Sequence, residues 1–78
     1  MNKTRRKQLE EYVSQLEAIK EGLESVMDEE QEAFDNMPEG IQMGERGDAM
    51  QENIDNLQSA IDSLESDVID YVQLAIDA

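Results

Sequence analysis

Of the side chains able to do chemistry, this 78-residue sequence offers carboxylates in quantity and little else. It has 20 aspartates and glutamates, 6 lysines and arginines and 2 tyrosines, with neither histidine nor cysteine. General acid–base catalysis needs a group that titrates near neutrality, and a serine nucleophile needs a base beside it. Ser14, Ser25, Ser59, Ser63 and Ser66 have no base of the usual kind. The expectation is a protein that is not an enzyme and holds no cofactor.

Carboxylates suit hard cations, and Asp28, Glu29, Glu30 and Glu32 cluster. Their spacing does not match a calcium-binding loop, which alternates acids around a central glycine and closes with a glutamate. The di-iron bundle motif requires Glu-x-x-His, which a chain without histidine cannot contain. No metal site is expected. Arg46, Gly47 and Asp48 spell an integrin-type tripeptide, read here as a turn glycine followed by an aspartate that caps a helix.

The net charge of −14 disfavours nucleic acid as a direct partner. Lys3, Arg5, Arg6 and Lys7 hold four of the six positive charges, so residues 8–78 carry two positive and twenty negative charges, or −18. The basic start is expected to clamp the end of a second helix near Asp67, Asp70 and Asp77, compensating charges badly placed for their own helix dipoles. Residues 47–78 contain no lysine or arginine. Glu52, Asp55, Asp62 and Glu65 are the candidate acidic recognition face, for which the partner would be a basic surface on another protein. The competing reading of the acids is solubility alone.

The elements that position these groups follow from periodicity. Met50, Ile54, Leu57, Ile61, Leu64, Val68, Tyr71 and Ala75 recur in steps of four and three, the seam of a coiled coil. The first half repeats Leu9, Tyr12, Leu16, Ile19, Leu23, Val26 and Ala33 on the same rhythm, with Val13, Met27 and Phe34 widening the stripe and Glu30 interrupting it. Between them lie Pro38, Gly40, Gly44 and Gly47. Pro38 disfavours helix at Met37, and Asp48 with Gln51 three residues later resembles a capping box. Met37, Ile41 and Met43 are expected to anchor the connector over the end of the helices.

The fold class predicted is all-α: a single domain comprising an antiparallel helical hairpin, with helices over about residues 4–36 and 48–77 and a turn at about 37–47. A chain this short has a marginal core and needs support, which neither disulfides nor zinc can give here. Self-association is expected, as a homodimeric four-helix bundle or a higher coiled-coil oligomer. Near the end, apolar side chains occupy almost every azimuth, so Val68, Ile69, Val72, Leu74 and Ile76 are expected to contact another subunit or a target. No membrane span and no secretory signal are recognised, which predicts a soluble, cytoplasmic chain.

Three segments carry a resemblance: NMPEG at residues 36–40, ERG at 45–47 and AIDSLE at 60–65. Across about half the chain, residues 28–66, the sequence resembles a family of small acidic helical-hairpin proteins of uncharacterised function encoded by bacteria and their phages. The resemblance implies a hairpin and a phage or prophage setting, and no functional residue. A phage setting in turn suggests, by analogy, an acidic inhibitor that binds and blocks a host protein, of the nucleic-acid-mimic or anti-defence type. The alternative is a structural or assembly component whose acids serve solubility only.

Overall fold

The computed structural model describes all 78 residues and is all-α, without strands, and elongated at 58 × 16 × 11 Å. Helix α1 (Lys3–Asp35) opens on Asn2, whose side-chain Oδ1 accepts a hydrogen bond from the Arg5 backbone N–H at 2.8 Å. That bond satisfies one of the free donors of the first turn. At a rise of about 1.5 Å per residue, its 33 residues span about 50 Å, most of the length of the molecule. It ends at Asn36, two residues before Pro38, as the proline's restriction on its predecessor requires. A one-turn helix α2 (Glu39–Gln42) follows, then α3 (Glu45–Ser63), a π-helical segment (Leu64–Ile69) and α4 (Asp70–Asp77). From residue 45 to residue 77 the helix is continuous, and we call this stretch the second arm.

Three contacts set the direction of the arms. Arg6 at the start of α1 donates to the Ala78 carbonyl at 2.7 Å, Lys20 meets Glu65 at 2.8 Å, and the Gln42 amide donates to the Phe34 carbonyl at 2.8 Å. The arms therefore lie side by side and run in opposite directions. The buried apolar cluster of Val13, Ile69 and Ile76, with Leu9, Leu16, Leu64 and Val72 packed against it, lies between their outer halves. Ile54 and Ile61 continue the buried row toward the connector.

The second arm departs from the expected seam in one respect. Its buried residues are Gly47, Ile54, Ile61, Ile69 and Ile76, in steps of seven, seven, eight and seven. In a straight α-helix a step of eight would turn a side chain roughly 80° off the row, whereas a step of seven drifts only about 20°. The π segment takes up the extra residue: the Asp70 N–H bonds the Glu65 carbonyl, five residues back. Val68, Tyr71 and Ala75 are thereby turned off the seam and Ile69, Val72 and Ile76 turned onto it. The physical reason is the quality of the two rows. Two isoleucines and a valine bury more aliphatic surface than valine, alanine and a tyrosine whose hydroxyl must stay hydrated.

On α1 the residues facing the second arm are Leu9, Val13, Leu16, Lys20, Leu23, Met27, Glu30 and Phe34, while Tyr12, Ile19, Val26 and Ala33 stay exposed. The expected seam followed the uninterrupted apolar row, but Lys20 is tolerated inside because Glu65 meets it.

The connector also differs from expectation. The helix starts on Gly44, not Asp48, and Asp48 lies within its first turn. Gly47 is buried where the second arm meets α2, and a Cβ there would fall 2.7 Å from the Cα of Gln42 and closer still to its carbonyl. Met37 and Phe34 are half-buried, but Ile41 and Met43 are exposed, so only Met37 of the three expected anchors is in place.

Candidate functional site

The chain has no cavity and no grouping of three or more acidic side chains that could hold a metal ion. No helix is long and apolar enough to cross a membrane. What the fold offers a partner is its exterior, and that exterior is divided by the register of the arms.

One flank lies one residue after the core positions Leu9, Leu16, Leu23 and Glu30, which places Glu10, Glu17, Glu24 and Gln31 there. The same offset from Met50, Leu57, Leu64 and Val72 gives Gln51, Gln58, Glu65 and Gln73. In an antiparallel pair these two rows border the same side of the seam. Outside them runs a row of aspartates, each directly following a buried residue of the second arm: Asp48, Asp55, Asp62, Asp70 and Asp77. Gln58 donates to Asp62 at 3.0 Å and Gln73 to Asp77 at 3.1 Å, and Gln31 bonds Asp35 at 3.0 Å on α1. Such bonds between residues four apart support each helix locally and hold the carboxylates in place.

The only ion pair of the chain lies on this flank. Lys20 Nζ donates to Glu65 Oε2 at 2.8 Å. That hydrogen bond holds the lysine's titration above its ordinary value of 10.5, burial opposing it and the charges of Glu65, Glu24 and Glu17 adding to it.

The opposite flank lies one residue before the other core positions. On α1 it carries Tyr12, Ile19, Val26 and Ala33, and on the second arm Asn53, Ala60, Val68 and Ala75. Tyr12, Ile19 and Val26 are 58, 55 and 53 % exposed. The adjoining rows hold Gln15, Gly22 and Glu29 on α1, and Ala49, Asn56, Ser63 and Tyr71 on the second arm. Both flanks are comparably open to solvent, yet one is crowded with carboxylates and the other is nearly free of charge.

Of the anticipated interface residues, Ile69 and Ile76 are buried against α1 and Val72 is half-buried there, so these three are already covered within the chain. An unbroken α-helix would turn these three away from α1, and the π segment turns them toward it. Val68 and Leu74 are exposed, with Tyr71 beside them. Of the anticipated acidic face, Glu52, Asp55 and Asp62 are exposed, Glu52 pointing away from the seam and the two aspartates standing in the row of five. Glu65 is engaged by Lys20 and is not free for a partner. Nor do Lys3, Arg5, Arg6 and Lys7 pair with Asp67, Asp70 or Asp77: Arg6 bonds the Ala78 main chain instead.

Sequence periodicity missed the uncharged flank because it assigned Tyr12, Ile19 and Val26 to the core. A signal for the shift was present. The dipeptide Ile-Asp recurs at residues 54, 61, 69 and 76, marking the same seven, eight, seven steps. No family model, characterised protein or solved structure matches this chain.

Proposed function

We propose that this chain is a non-enzymatic protein-interaction module: a helical hairpin that works through its two outer flanks, self-associating through one and meeting a host protein with the other. The observation that carries the proposal is the segregation of side chains, with carboxylates on one flank and uncharged, largely apolar residues on the other, on a surface that otherwise offers no concavity. A row of aspartates about 10 Å apart along the second arm suits a basic groove, and the resemblance to proteins of bacteria and phages makes an inhibitor of a host protein the fitting role. The assembly reading, in which the chain builds a helical oligomer larger than a dimer, draws on the exposed Tyr71 and Leu74 beside the uncharged flank.

The test is affinity capture from bacterial lysate with mass spectrometry, comparing the wild type with Glu52→Lys, Asp55→Lys and Asp62→Lys combined. Glu65 is left intact so that Lys20 keeps its partner. Basic proteins captured by the wild type and lost with the triple variant, at unchanged helicity, are the expected result. Identical capture by both would remove the acidic flank from the function.

A further inference from the structure

We infer that the uncharged flank seats a second copy of this chain, α1 packing antiparallel on α1 of its partner across a two-fold axis near Gly22. The inference deepens the self-association in the reading above by assigning it a surface and a symmetry.

Charge chooses the occupant. A chain of net charge −14 repels its own copies, so two approach most readily where carboxylates are fewest, and this flank, with Glu29 alone on its rows, is that place. A basic partner would be drawn to the opposite flank. Along the contact rows of α1, residues 12, 15, 19, 22, 26 and 33 are uncharged and Glu29 is the one carboxylate, and on the second arm Ala60, Val68 and Ala75 border them. The π segment contributes directly, because its extra residue turns Val68 outward onto this side, with half-buried Ala75 at its edge.

The area is sufficient. Residues 12–33 extend over about 32 Å at the α-helical rise. Across the two arms the Cα atoms extend over 16 Å. Two helices side by side, with their side chains, are about 20 Å wide. The flank therefore covers about 640 Å² per copy and about 1300 Å² for the pair, within the range of stable interfaces.

The shape is self-complementary. An antiparallel pairing centred near Gly22 sets Tyr12 against the partner's Ala33 and Ile19 against the partner's Val26, a large residue meeting a small one at each end. Gly22 has no purpose within the chain: a Cβ there meets nothing within 4 Å, and a mid-helix glycine costs about 1 kcal/mol relative to alanine. At the axis, where two helices approach most closely, a missing side chain has a use.

Sedimentation equilibrium of the wild type at about 100 µM should give twice the chain mass of 8.9 kDa. Ile19→Glu with Val26→Glu should weaken association at least about 100-fold. Cysteine substitution keeps the test decisive if that double variant fails to fold. The chain has no native cysteine, so Gly22→Cys should oxidise to a disulfide-linked dimer, while Glu17→Cys on the polar flank should not. A disulfide needs Cα atoms within about 7 Å of each other, a separation that only positions close to the axis reach. A wild-type monomer, an assembly larger than a dimer, or linkage through Cys at 17 instead of 22 would overturn the inference. Lysate capture through the acidic flank can succeed or fail independently of each of these results.

Discussion

Deleting one residue from the middle of a packed helix is ordinarily ruinous, and here the position of the deletion should decide the outcome. Removing Asp67, which is exposed within the π segment, shortens the step from Ile61 to Ile69 from eight residues to seven. The Asp70 N–H to Glu65 carbonyl bond then spans four residues, the π turn relaxes to α, and Ile69, Val72 and Ile76 stay in the core. The expected change in stability is within about 1 kcal/mol, as for exposed positions without special geometry. Removing Asn56, exposed in α3, has the opposite consequence. Every residue beyond it turns by about 100°, so Ile61, Ile69 and Ile76 leave the core. At about 2–5 kcal/mol for each large aliphatic side chain removed, the loss is about 6–15 kcal/mol, comparable with the entire stability of a small domain. Urea titration followed by circular dichroism, with hydrogen exchange over residues 70–77, separates the two. An Asp67 deletion that unfolds the chain as the Asn56 deletion does would mean that the π segment does not absorb the extra residue.

Gly47→Ala should destabilise by about 1–3 kcal/mol, read as a lowered urea midpoint, because the added methyl group strikes the Gln42 backbone. Gly22→Ala, by contrast, should raise the urea midpoint, by about 1 kcal/mol of stability, because a Cβ there meets nothing within the chain and alanine is the better helix former. The Lys20–Glu65 contact raises the lysine's titration in the folded chain, so its contribution is complete at neutral pH, up to the ordinary value of 10.5, and fades as pH rises through the higher folded value. Wild type should therefore lose more melting temperature than Glu65→Gln between about pH 9 and pH 12, and equal losses would contradict the assignment. Sodium chloride should raise the melting temperature, since screening relieves the repulsion of a −14 chain with one ion pair to lose; a fall would mean that attraction dominates.

Much of the fold was legible in the sequence, and the places where it was not share one cause. Met50, Ile54, Leu57, Ile61 and Leu64 form a seam without a rival row, and the structure buries them wholly or in part as read. Beyond Leu64 two rows compete at helical spacing, Val68, Tyr71 and Ala75 against Ile69, Val72 and Ile76. An unbroken period selects the first, and only the extra burial of the second explains the π turn. The same ambiguity operates on α1, where Leu9, Leu16 and Leu23 belong to both rows. Tyr12, Ile19 and Val26 make the less interrupted pattern, yet Val13, Met27 and Phe34 win because Lys20 finds Glu65 from an arm distant in sequence. Periodicity records which side chains are apolar without recording which apolar face a single chain leaves open. The acidic candidates Asp55 and Asp62 were legible because an exposed aspartate follows each buried isoleucine, while the engagement of Glu65 depended on the pairing of the arms.

Whether two copies meet on the uncharged flank is decided by isotope-filtered NMR on a mixed sample in which one copy is labelled and the other is not. Intermolecular contacts are expected from the Tyr12 ring to the Ala33 methyl group and from Ile19 to Val26, with none from Asp55, Asp62 or Gln58. Intermolecular contacts confined to the aspartate flank, or none in a sample that is fully helical at about 1 mM, would contradict that dimer.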